Sequence, residues 1–66
     1  MDIGVSINIG CSKAKMTNQE LAKSSGVGVV SISNWITGKT SPSLKNVEAM
    51  AKSLNVSVSE FIKWGE

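Results

Sequence analysis

The sequence predicts an all-α fold: five short helices packed into one domain. Three kinds of observation point there. Apolar residues recur at helical spacing, as in Ile32, Trp35 and Ile36. Helix-start residues stand just before such stripes, at Thr17, Ser43 and Ser57. Helix-stop residues stand just after them, at Gly26, Gly38 and Asn55. With 66 residues the chain has room for one domain, residues 1–66, and one core.

The first helix is expected over residues 3–14, where Ile3, Ile7, Cys11 and Ala14 fall on one face. Propensity opposes it. Gly4 and Gly10 each cost about 1 kcal/mol relative to alanine, and Val5, Ile7 and Ile9 alternate as in a strand. The helix reading is preferred, with packing rather than propensity holding it. Thr17-Asn18-Gln19-Glu20 has the form of a capping box that opens a second helix over residues 18–24. Leu21 and Ala22 should face inward, and Gly26 should turn the chain with positive φ.

A third helix should follow Gly28 and reach residue 36, burying Ile32, Trp35 and Ile36. Val29, Val30, Ser33, Asn34 and Thr37 fall away from that stripe, and Gly38 ends the helix. A polar loop through Pro42 leads to a fourth helix over residues 44–54, capped by Ser43. Its inward set is Leu44, Val47, Met50, Ala51 and Leu54. A second capping box, Ser57-Val58-Ser59-Glu60, opens a last helix to about residue 63, with Phe61 and Ile62 as its apolar residues.

Composition narrows the functional classes. A domain this small buries only about 60% of its unfolded surface, which leaves little room for an enclosed catalytic cavity. Cys11 is the single cysteine and histidine is absent, so neither an internal disulfide nor a structural zinc site can form. Cys11 also lacks a histidine to activate it as a nucleophile, and the five carboxylates show no paired spacing for acid–base work. No catalytic residue, metal or cofactor is expected. No apolar run reaches the roughly 20 residues of a membrane span, and the N-terminus lacks a basic signal-peptide region. A cytoplasmic protein without a small-molecule ligand is expected. The net charge of +2, all of its cations lysines, is a weak pointer to nucleic acid.

The stretch from Thr17 to Gly38 carries the most information. Two short helices joined by a glycine turn form a helix-turn-helix, whose second helix can lie in a DNA major groove. The chain here resembles the Cro/C1-type helix-turn-helix regulators (the XRE family) of phages and bacteria. The matching residues are Thr17-Asn18-Gln19-Glu20-Leu21-Ala22, Ser25-Gly26-Val27, Ile32-Ser33-Asn34-Trp35, Gly38-Lys39, Pro42-Ser43-Leu44 and Leu54-Asn55-Val56-Ser57. The resemblance spans Ile3 to Ile62 and implies a compact five-helix, lambda-repressor-like domain. It implies a transcriptional repressor that binds a near-palindromic operator in double-stranded DNA as a homodimer.

Carried over by position, Gly28, Val29, Val30, Ser33 and Asn34 would form the base-contacting surface. Asn18, Thr37, Lys39 and Thr40 would meet phosphates, Asn18 standing where the family often has glutamine. The family commonly builds its dimer from the last helix, which makes Ile62 and Trp64 the candidates. Trp64 could equally cover its own core, and Trp35 belongs to the buried stripe.

The departures from the family pattern are informative. Val29 and Val30 stand where relatives often carry polar side chains. Valine cannot hydrogen-bond a base but can pack on a thymine methyl. The chain has no arginine, so the bidentate arginine–guanine contact is absent. An arginine on the family's first helix and a glutamate near the end of its third correspond to Cys11 and Ile36. Their joint replacement by packed residues predicts a core contact between the two. Other readings on the same fold are an antitoxin, a restriction-system controller, and an antirepressor whose exposed valines meet a protein groove.

Overall fold

The computed structural model describes residues 2–66. Its regular structure is helical throughout: α1 (Ile3–Ala14), α2 (Asn18–Ser25), α3 (Val29–Thr37), α4 (Leu44–Ser53) and α5 (Val58–Lys63). α3 packs on α1 and α2, α4 on α2 and α5, and α5 closes back on α1. The result is nearly isometric, 23 × 22 × 20 Å. No described helix is long and apolar enough to cross a membrane.

The core draws a large, fully buried apolar side chain from every helix: Ile7, Leu21, Ile32, Met50 and Phe61. That distribution explains how such short helices persist, since each is held by burial of one apolar face rather than by its own propensity. Around these five sit Cys11, Ala22, Trp35, Val47, Ala51 and Leu54, with Ile36, Ile62 and Trp64 packed against them in part.

α1 is where local preference and packing disagree, and packing decides. A Cβ on Gly4 would lie 2.8 Å from the Ile36 carbonyl oxygen, and one on Gly10 would lie 2.6 Å from Leu54 Cδ1. The two glycines that weaken α1 are places where Ile36, Leu54 and Trp64 come too close to leave room for a Cβ. The termini also meet. The Asp2 amide donates to the Gly65 carbonyl at 3.0 Å, and Gly65 lies against the Asp2 backbone and the buried Ser6 hydroxyl.

The start and stop signals act as the sequence suggests. Thr17 and Glu20 form a reciprocal capping box, with the Thr17 hydroxyl accepting from the Glu20 amide at 3.1 Å and Glu20 Oε1 accepting from the Thr17 amide at 2.8 Å. Gly26, Gly38 and Asn55 adopt φ of 78°, 82° and 60°. Lys15, at the end of α1, takes φ 56°, a left-handed turn built on a residue with a Cβ.

Two expectations need correction. Leu44 is 66% exposed rather than inward-facing. It is in register with Val47, but it is the first residue of α4, at the end of the helix and beyond the edge of the core. The second capping box is one-sided: Ser57 accepts from the Glu60 amide, while Glu60 stays exposed without the return bond. Cys11 is buried as expected, and its thiol donates to Asn18. The backbone of Ile36 lies against α1 at Gly4, and its side chain packs in part on the core cluster that holds Cys11.

Candidate nucleic-acid interface

The outward surface of α3 follows from its inward one. Ile32 and Trp35 are buried, so positions about half a turn away must face solvent. Val29 is 43% and Val30 70% exposed, and Ser33 and Thr37 are exposed with them; Asn34 is half-buried at the edge of this face. An exposed pair of valines beside a serine gives a helix face that is smooth, apolar and neutral.

The N-terminus of α3 is open. Gly28 is its N-cap in extended conformation, with no side-chain hydrogen bond to the first-turn amides. A Cβ at Gly28 would meet nothing closer than 3.8 Å, so packing within the fold does not demand glycine there. The first-turn amides therefore retain hydrogen-bonding capacity and the positive end of the helix dipole.

α2 lies against α3 and presents its own N-terminus, with Asn18 as the first helical residue and its side chain exposed. Asn18 Oδ1 accepts a hydrogen bond from the Cys11 thiol, sulfur to oxygen 3.8 Å. The carboxamide thus faces inward with its acceptor and leaves its two N–H donors for an outside group.

After α3 the chain curls tightly. The Asn34 carbonyl accepts from the Lys39 amide at 2.9 Å and the Thr40 amide at 3.5 Å. These bonds fix the loop and leave the Lys39 and Thr40 side chains exposed. The Thr37 hydroxyl points back at the Ser33 and Asn34 carbonyls, at 3.1 and 3.2 Å. A hydroxyl has one proton, so in this rotamer Thr37 has none to give a phosphate.

The sequence-predicted surface thus draws on four pieces: the α3 start, its outer face and the loop after it, which follow one another along the chain, and the start of α2, a helix packed on α3. Two residues stand apart from it. Trp64 packs its ring on Gly10, stands edge-on to Phe61 at 6.1 Å, and carries Lys13 Nζ 5.9 Å above its centroid. Ile62 is half-buried against the core. Both side chains serve their own fold first, and only their outer parts are open to a second molecule. Sequence reasoning missed the Cys11–Asn18 link and the inward turn of Thr37, because both depend on rotamers that no spacing rule encodes.

The model of the Helix-turn-helix family matches residues 12–61. The chain belongs to the Cro/C1-type helix-turn-helix family. Its structure is similar to the solution structure of the DNA-binding domain of the P22 c2 repressor, residues 1–76. The two share 32% identity and a TM-score of 0.85, over 96% of this chain and 83% of that one. Among curated proteins the sequence finds no match. The family match includes all of α2, α3 and α4, and the structural likeness adds α1 and α5. The five-helix Cro/C1-type fold therefore covers nearly the whole chain, with the α2–α3 pair as its helix-turn-helix.

Proposed function

We propose that this protein is a transcriptional regulator of the repressor or Cro-like kind, acting in the cytoplasm on a pseudo-palindromic DNA operator as a homodimer. The observation that carries this reading is the free outer face of α3, with Val29, Val30 and Ser33 exposed beside an uncapped helix start. A helix held from behind by α1 and α2 and left bare in front is what a major groove admits.

Val29 and Val30 would pack on thymine methyls, and Ser33 and Asn34 would supply hydrogen bonds to base edges. Gly28 would let the helix start approach the base edges closely. Asn18, Lys39 and Thr40 would hold phosphates on either side of the groove and set the register. Thr37 would join them only after its hydroxyl rotates away from the helix carbonyls. Without arginine, discrimination would rest on methyl contacts and on the shape of the site. A second copy would dock through the outer parts of Ile62 and Trp64.

Selection from random duplex DNA, at about 50 and about 200 mM salt, tests the proposal. Enrichment of a two-fold symmetric site with half-sites about 10 base pairs apart supports it. Weak binding without enrichment, lost at the higher salt, overturns it. Salt-resistant binding to a purified regulator would instead favour the antirepressor reading, which the same exposed valines support.

A further inference from the structure

Asn18 begins α2 with an exposed side chain, and nothing on its own helix fixes its rotamer. The contact described for its carboxamide comes from outside α2. Cys11 lies in the second half of α1, 6% exposed, and reaches across the Lys15–Thr17 turn to Asn18 Oδ1 at 3.8 Å. A thiol donates to oxygen better than it accepts from nitrogen, so this contact selects one of the two amide orientations. The selected one holds oxygen inward and both N–H groups outward.

We infer that Cys11 is a positioning residue for DNA binding, its thiol holding the Asn18 carboxamide with both donors toward the phosphate backbone. The inference rests on the reading of Asn18 as a phosphate contact. A phosphate accepts and never donates, so an Asn18 flipped the other way would present oxygen to oxygen. Orienting the amide before binding removes the cost of ordering it on the DNA. Burial also pushes the thiol pKa up, which keeps the donor proton in place at neutral pH.

The test uses the full 66-residue chain, which is short enough for chemical synthesis. One variant carries 2-aminobutyrate at position 11, exchanging the S–H for a methyl of similar size; the others are Cys11→Ala, Asn18→Ala and the double variant Cys11→Ala/Asn18→Ala. Binding to the selected operator duplex is measured by fluorescence anisotropy. The 2-aminobutyrate chain should bind about threefold to tenfold more weakly with an unchanged melting temperature, the range for one lost hydrogen bond. The double variant should bind no worse than Asn18→Ala.

NMR of the free protein gives a readout independent of DNA: the Asn18 carboxamide should lose order when the S–H is removed, while the α2 backbone keeps its order. Full binding by the 2-aminobutyrate chain, or an equal loss from Cys11→Ala with and without Asn18, overturns the positioning role alone. Wild-type binding by Asn18→Ala overturns the underlying phosphate contact, and the positioning role falls with it.

Discussion

Gly4 of α1 meets the backbone of Ile36 in α3, leaving 2.8 Å between a Cβ built on the glycine and the Ile36 carbonyl oxygen. By propensity alone, Gly4→Ala should stabilise the helix by about 1 kcal/mol. The obstacle is backbone, which cannot rotate aside, so α1 and α3 would have to separate. We expect Gly4→Ala to destabilise by about 1–3 kcal/mol, the usual range for overpacking. Gly10→Ala should cost less, because its Cβ meets the ends of Leu54 and Trp64, which can shift. Urea midpoints of the two variants decide it. A midpoint for Gly4→Ala above that of the parent chain would show that the helices separate freely.

The turns of the fold offer a paired test. Lys15 and Gly26 both end helices with positive φ, at 56° and 78°. Only Gly26 avoids the clash that a Cβ brings to this region. Lys15→Gly should therefore stabilise the protein by up to about 1 kcal/mol, and Gly26→Ala should destabilise it by a similar amount. Nothing lies within 4 Å of a Cβ at Gly26, so its effect would be backbone strain alone. Thermal melts that moved both variants in the same direction would contradict this account.

How much was legible depended on how local the cause was. Thr17 and Glu20 lie three residues apart and cap each other, so the start of α2 could be read from four letters. Gly26, Gly38 and Asn55 marked their turns for the same reason, while Lys15 carried no such mark. Val29 and Val30 could be assigned to the outer face because Ile32 and Trp35 had to fill the inner one. Leu44 failed because periodicity tells which way a residue faces but not whether anything stands opposite it. The Cys11–Asn18 bond and the Thr37 back-bond failed because they are choices among rotamers, settled by three-dimensional neighbours.

The buried thiol makes stability depend on pH. Burial holds the folded Cys11 pKa above the ordinary value of 9.0. As pH rises past that value, the unfolded thiol gives up its proton while the folded one keeps it. The unfolded state then binds fewer protons, so stability falls with rising pH. The contribution is intact below the unfolded pKa and is lost as pH climbs through the folded one. Between about pH 8 and about pH 10 the parent chain should lose more melting temperature than Cys11→Ala, which lacks the thiol. Parallel melting profiles for the two chains would mean that the folded thiol ionises as readily as the unfolded one.

Val30 separates stability from recognition. Its side chain is 70% exposed, so Val30→Ala should change folding stability by no more than about 0.5 kcal/mol. If Val30 packs on a thymine methyl, the same change should weaken operator binding by about 1 kcal/mol, roughly fivefold in Kd. The DNA can be altered to match. Replacing the contacted thymine by uracil removes only the methyl group, and should weaken the parent protein by a similar factor. Combined, the two deletions remove one contact and not two, so Val30→Ala on uracil-substituted DNA should bind about as well as either single change. Losses that multiply would place Val30 and that methyl in separate interactions. A Val30→Ala variant that bound the operator at full strength would leave the apolar face of α3 free for a protein partner.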